Sequence, residues 1–148
     1  MGMLDVASGK SIWRGLDYYE RKKVICFEKI SESKYKGKVS GSAGQVYDVE
    51  IDKSHPKKSK CNCPFAEGRQ VVCKHMIALL FTAEPKEAED FIREVEEYEA
   101  EEELREQQRY EELRSYVYSL SKEELRRRYL DVLLQEMWDD DWDEEWFM

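Results

Sequence analysis

The sequence predicts an α+β protein: a small antiparallel sheet closed by a three-Cys, one-His cluster and a short helix, followed by a long charged α-helical arm. Three observations predict it. Residues 24–52 hold three short β-rich runs, the last with strict polar/apolar alternation. Residues 61–75, CNCPFAEGRQVVCKH, place four soft donors in the order C-x-C, nine residues, C-x-H. Residues 83–148 carry 24 Asp+Glu against 9 Lys+Arg, with apolar residues at helical spacing. The expected organisation is a sheet-and-cluster module at 1–82, a long charged helix at 83–120, and a capped helix with an acidic Trp-rich tail at 121–148.

The first eighty residues read as strands. VICF, extended by Ile30, gives one run, residues 35–39 a second, and GSAG a turn signal. QVYDVEID then sets Tyr47, Val49 and Ile51 on one face and Asp48, Glu50 and Asp52 on the other. A three-stranded meander is the economical reading, and a sheet so small needs a helix or a metal to close its core. HMIALLF, residues 75–81, reads as that helix. Cys26, in an apolar strand, is expected to be a core thiol, and His55, in a Lys-rich loop, to be solvent-exposed.

Pro85 breaks the first helix, and Thr82 is a candidate cap for the next. Residues 86–118 read as one helix. Phe91, Val95 and Tyr98 share a stripe, as do Tyr110, Leu113 and Val117, with mainly Leu104 between. Ser121 and Glu124 form a capping box, after which Leu125, Tyr129, Val132, Leu133 and Met137 follow at helical spacing.

Apolar residues make up 41% of the chain and charged ones 39%. That charge fraction points to a solvated helical part rather than a globule throughout. No run of about eighteen apolar residues occurs, so no membrane span is expected. The first residues lack an apolar signal core and a myristoylation pattern, so the expected location is cytoplasmic. Thiols stay reduced there, and clustered Cys then points to metal or catalysis before disulfides. The net charge of −9 conceals a division: residues 1–82 carry 15 Lys+Arg against 9 Asp+Glu, and the remainder is strongly acidic.

Cys61, Cys63, Cys73 and His75 are the candidate metal ligands. Tetrahedral zinc takes four such donors. Pro64 after Cys63, and Asn62 between the thiols, suit the tight curl that C-x-C requires. Cys73 and His75 fall at a strand-to-helix junction, where a helix N-terminus favours a thiolate. A disulfide between Cys61 and Cys63 would close a strained ring in a reducing cell. A catalytic Cys–His pair is poorly served by C-x-H, and an iron–sulfur site is the remaining metal alternative. Structural zinc fits best, and with four protein ligands it would have no open catalytic position.

The pattern resembles the SWIM zinc finger, C-x-C-x(n)-C-x-H. CPF after the second Cys and CKHMIALL after the gap look like the family's segment leading into its helix. RGLDYYERKKVI and VSGSAGQVYDVEI resemble the N-terminal sheet region of SWIM proteins, and YVYSLSKEELRRRYLDVLL more loosely resembles a helical segment downstream. The resemblance is specific over residues 13–82. It implies Zn²⁺ held by Cys61, Cys63, Cys73 and His75, and a role in DNA binding, protein contact or both. SWIM modules accompany helicase-like ATPases, transposase-related proteins and recombination mediators. This chain holds no ATPase motif, so any such activity would belong to a partner.

The basic half supplies candidate phosphate contacts: Lys57, Lys58 and Lys60 ahead of the first thiol, Arg69 in the finger loop, Lys74 between the last two ligands, and Lys34, Lys36 and Lys38 alternating on a strand. Trp13, Tyr18, Tyr19, Tyr35 and Phe65 are candidates to stack on unpaired bases. At the acidic end Trp138, Trp142 and Trp146 recur every four residues, within about an 80° sector of a helix, and are candidates for docking on a protein partner. No paired carboxylate, triad or phosphate loop stands out, so no enzyme is expected. The function expected is a zinc-binding adaptor for nucleic acid and a protein partner of the DNA or RNA machinery. The competing expectation is a regulator whose acidic arm docks on, or blocks, a basic cleft of a large machine such as a polymerase or ribosome.

Overall fold

A computed structural model gives the fold of residues 2–146, with backbone alone for residues 141–146. The chain divides into two compact units, residues 1–95 and 96–148.

The first unit opens with two helices where strands were expected, α1 (Met3–Val6) and α2 (Gly9–Glu20). Ser8 caps α2 by accepting from the Ser11 N–H at 3.2 Å. Ile12, Leu16 and Tyr19 recur at i, i+4 and i+7, the spacing of one helical face; Ile12 and Leu16 are buried on it and Tyr19 half-buried. The helix ends in a Schellman motif. The Lys23 N–H donates to Tyr18 O at 2.9 Å, the Lys22 N–H donates to Tyr19 O at 3.0 Å, and Lys22 takes a φ of +56°.

Four strands follow, not three: β1 (Val24–Lys29), β2 (Lys34–Ser40), β3 (Val46–Asp52) and β4 (Lys60–Cys61), antiparallel and in sequence order. The added strand is only two residues long, too short to show an alternation of its own. The turn read at GSAG joins β2 to β3, closed by the Gly41 N–H donating to Gln45 O. The burial alternation read for β3 holds for Val49 and Ile51, which are buried, and for Asp48 and Glu50, which are exposed. Asp52 departs from it. It is buried and its carboxylate accepts from the N–H groups of Ser54 and His55.

Helix α3 (Lys74–Ala83) lies on the inner sheet face and is buried from His75 to Phe81. A helix apolar on all sides needs cover on all sides. The sheet supplies one, with Tyr35, Val39, Val49 and Ile51 buried beneath it, and α2 supplies another. Gly37 allows the close fit to the sheet: a Cβ there would lie 2.8 Å from Leu79 Cδ1. Helix α4 (Pro85–Ser119) starts at Pro85, which needs no N–H partner in a first turn. Thr82 does not cap it; its hydroxyl donates back to Ala78 O at 2.8 Å, within α3. Within the first unit Ala88 is buried and Phe91 meets Trp13 edge-on at 5.2 Å.

In the second unit α4 runs to Ser119, and α5 (Lys122–Trp146) follows. Ser121 Oγ accepts from the Glu124 N–H at 3.2 Å, as the capping box predicts. The long helix was expected to be poorly buried in its middle. Among the described residues, Tyr98, Leu104, Tyr110 and Leu113 on α4 are all exposed, as are Tyr129, Leu130 and Met137 on α5. No helix among the described residues is long and apolar enough to cross a membrane.

Candidate metal centre and the groove beside it

Four separate pieces of local structure aim the donors at one point. Cys61 ends β4, whose register sets it opposite Val49 and Lys60 opposite Glu50; Lys60 faces out and Cys61 in. Asn62 continues the pairing by both routes. Its N–H donates to Asp48 O, and its Oδ1 accepts from the Asp48 N–H at 2.9 Å. That double tie curls the chain, so that thiols two residues apart reach the same side. After Cys63 a tight turn forms, with the Ala66 and Glu67 N–H groups donating to Cys63 O. Cys73 is the N-cap residue of α3, and His75 lies in its first turn.

All four donors are buried and their ligand atoms lie within 4.8 Å of one another. His75 Nδ1 stands 3.7 Å from Cys61 Sγ and 3.8 Å from Cys73 Sγ. A tetrahedron with Zn–S near 2.3 Å and Zn–N near 2.0–2.1 Å has S···N edges of about 3.6 Å. The donor set and spacing therefore fit zinc, with Nδ1 as the ligating nitrogen. Nε2 is buried and finds no protein partner among the described residues. The imidazole lies against Tyr18 and Tyr47, at ring distances of 5.5 and 4.7 Å; neither aromatic was read from the sequence as part of this centre.

The thiols are not electrostatically alike. The Cys73 pKa is held well below the ordinary thiol range, first by hydrogen bonding from Cys61, then by His75 and the Met76 N–H of the α3 first turn. Cys61 and Cys63 are pushed up, Cys61 mainly as the partner of that hydrogen bond and Cys63 mainly by burial. The Met76 N–H in the first turn of α3 favours the thiolate of Cys73, and a bound metal ion would favour the ionised form of all three thiols.

Cys26 is not a core thiol. It is exposed, because β1 is an edge strand and Cys26 sits opposite Lys38 on the outer sheet face. His55 is exposed as expected, its Nδ1 3.6 Å from Asp52.

Six of the eight predicted phosphate-contacting residues come together. Lys34, Lys36, Lys57, Lys58, Lys60 and Arg69 line one open groove of about 780 Å³ between the outer sheet face and the finger loop. Lys38 and Lys74 are not among its lining residues. Lys38 stands 3.8 Å from Asp48 across the strands, and Lys74 Nζ lies 4.9 Å over the Tyr18 ring. The groove also holds acids that the sequence did not reveal there: Asp48, Glu50, Asp52 and Glu67. Register explains three of them. β2 and β3 present their polar residues to the same side, so Glu28, Lys36, Glu50 and Lys60 form one cross-strand row of alternating sign. Of the aromatics proposed for stacking, Tyr18 and Tyr35 are buried in the core and inaccessible to a base. Phe65 is 50% exposed. The Arg69 guanidinium sits 5.0 Å over its ring, and Arg69 Nη1 donates to Phe65 O at 3.1 Å. Trp138 is exposed, and the side chains of Trp142 and Trp146 lie outside the described residues.

Comparisons with curated proteins and with solved structures returned no match. One with family models returned the SWIM zinc finger, matching residues 47–84. That span runs from β3 to the residue after α3 and contains all four donors. The chain therefore carries a SWIM zinc finger, which binds zinc and to which its Cys61, Cys63, Cys73 and His75 cluster belongs.

Proposed function

We propose that the chain is a non-enzymatic adaptor. Its zinc finger supports a groove that binds single-stranded nucleic acid, and its helical arm binds protein. The observation that carries the first part is the groove. Basic side chains from three separate stretches of sequence converge beside the finger, and the exposed Phe65–Arg69 pair adjoins them. Lysines there supply affinity without sequence choice, and an exposed ring with a guanidinium over it suits an unpaired base. The interleaved acids reduce the field, so the binding expected is weak and strongly salt-dependent.

The test is titration of a labelled single-stranded oligonucleotide with the full chain at several salt concentrations. Replacing Lys57, Lys58 and Lys60 together with Ala should flatten the slope of log K against log salt by about one unit for each phosphate no longer neutralised. Lys38→Ala should leave the slope as it was. No binding at low salt, or equal effects of the triple and single changes, refutes the groove.

The arm carries the second part. Most of its large apolar residues from Tyr98 to Trp138 are exposed, and its composition is acidic. The competing reading, an arm that blocks a basic cleft elsewhere, rests on that acidity. It predicts that the arm without the finger module competes with nucleic acid for a basic protein.

A further inference from the structure

Charge on the outer sheet face is ordered by strand pairing. Lys34, Lys36 and Lys38 of β2 lie opposite Asp52, Glu50 and Asp48 of β3, so a lysine column and a carboxylate column run side by side. The columns are about 4.8 Å apart, with steps of about 7 Å along each. β4 then sets Lys60 on the far side of Glu50. Lys36, Glu50 and Lys60 are exposed, and all three line the groove.

The carboxylates of that column are not equally free. Asp52 is buried, and its Oδ1 accepts from the Ser54 and His55 N–H groups. Asp48 stands 3.8 Å from Lys38. Among the described residues the Glu50 carboxylate has neither a hydrogen bond nor an ion pair, although lysines flank it on both sides. A groove for phosphates alone gains nothing from this acid, which repels them. A carboxylate suits a hydroxyl donor, and in dinucleotide sites an Asp or Glu accepts from the ribose 2′-OH.

We propose that the groove selects RNA over DNA. Glu50 accepts a hydrogen bond from a ribose 2′-OH, while Lys36 and Lys60 hold the phosphates on either side of that sugar. Phosphate and sugar alternate along the RNA strand as lysine and glutamate alternate across the sheet. The two lysine backbones are about 9.6 Å apart, two strand spacings. Their flexible four-carbon stems let the ammonium groups converge on successive phosphates. DNA offers the same phosphates but no donor at the sugar, so it meets Glu50 as repulsion alone. This preference rests on the reading of the groove as a nucleic-acid site, and narrows its ligand class.

Fluorescence anisotropy of the full chain at low salt tests it, with labelled oligouridine, oligodeoxyuridine and 2′-O-methyl oligouridine of equal length as probes. The bases and the number of phosphates are the same; only the 2′ group differs, and only the ribose form can donate. Oligouridine should bind about tenfold more tightly than either of the others, the worth of one hydrogen bond to a charged group. In Glu50→Ala that preference should disappear, with the deoxy strand bound at least as tightly as by the wild type. A Glu50 that only steadies the sheet beside its cross-strand lysines would be blind to the sugar. Circular dichroism and zinc content control for folding, and the comparison of probes on the wild type stands even if the variant fails to fold. Equal binding of the three probes by the wild type overturns the selection of RNA and leaves the groove a nucleic-acid site. A preference that survives Glu50→Ala overturns the role of Glu50. Binding of none of the probes refutes the groove reading itself, and this preference with it.

Discussion

Gly15 on α2 sits so close to Ile77 on α3 that a Cβ at position 15 would lie 2.5 Å from both Ile77 Cβ and Cγ2, and 3.0 Å from Lys74 O. The absent side chain lets α2 press against the helix that carries His75. Gly15→Ala should therefore destabilise the finger unit by about 1–3 kcal/mol, as overpacking does, despite the better helix propensity of alanine. Chemical denaturation of the full chain followed by near-UV signals measures it; an unchanged or raised midpoint contradicts the tight crossing.

Lys22 closes α2 in the left-handed region at a φ of +56°. A non-glycine residue there costs about 1–2 kcal/mol, which glycine avoids; the freer unfolded chain returns part of the gain. Lys22→Gly should stabilise the unit by about 0.5–1 kcal/mol. A lower denaturation midpoint would show that the Schellman ending does not hold in solution.

Lys53, just past β3, contacts the Glu84 carboxylate where α3 ends and stands 3.9 Å from Glu87 of α4. Burial lowers its pKa, but the hydrogen bond and charge of Glu84, with Glu87 behind it, outweigh that and hold it above 10.5. A lysine raised in this way contributes stability that is complete below its unfolded pKa and lost as pH rises through the folded one. Solvent screens the pair, so Lys53→Met should cost only about 0.5 kcal/mol near neutral pH. The gap between variant and wild-type urea midpoints should be constant from neutral pH to pH 9 and narrow as pH rises past 10.5. A gap that widens with alkalinity reverses the assignment.

Phe65→Ala removes the exposed ring beneath Arg69 and leaves the charges of the groove in place. Affinity for a single-stranded oligonucleotide should fall by about 1–3 kcal/mol, with the salt slope unchanged. A loss of slope instead would make Phe65 a support for the lysines rather than a stacking surface.

Local chemistry was readable where it was self-contained. The four ligands declared themselves by spacing, β3 by alternation, and the start of α5 by its cap. Helix α2 was hidden although its stripe of Ile12, Leu16 and Tyr19 was present, because Gly15 and adjacent aromatics interrupt the pattern and only packing against Ile77 explains the glycine. The exposure of Cys26 depends on β1 lying at the sheet edge, a fact of topology rather than of residues 24–29. The mixed charge of the groove depends on register. Alternation places Lys36 and Glu50 on polar faces, but only strand pairing makes them neighbours.

The central claim is that zinc at Cys61, Cys63, Cys73 and His75 holds the first unit together. In finger peptides such a site contributes on the order of 10 kcal/mol or more at neutral pH. Native mass spectrometry of the full chain, wild type and Cys63→Ser, with circular dichroism on the same samples, tests this most directly. The wild type should carry one zinc per chain. The variant should carry none, with the fold of residues 1–95 lost and the helices of the arm retained. A metal-free chain whose first unit remains cooperatively folded would contradict it.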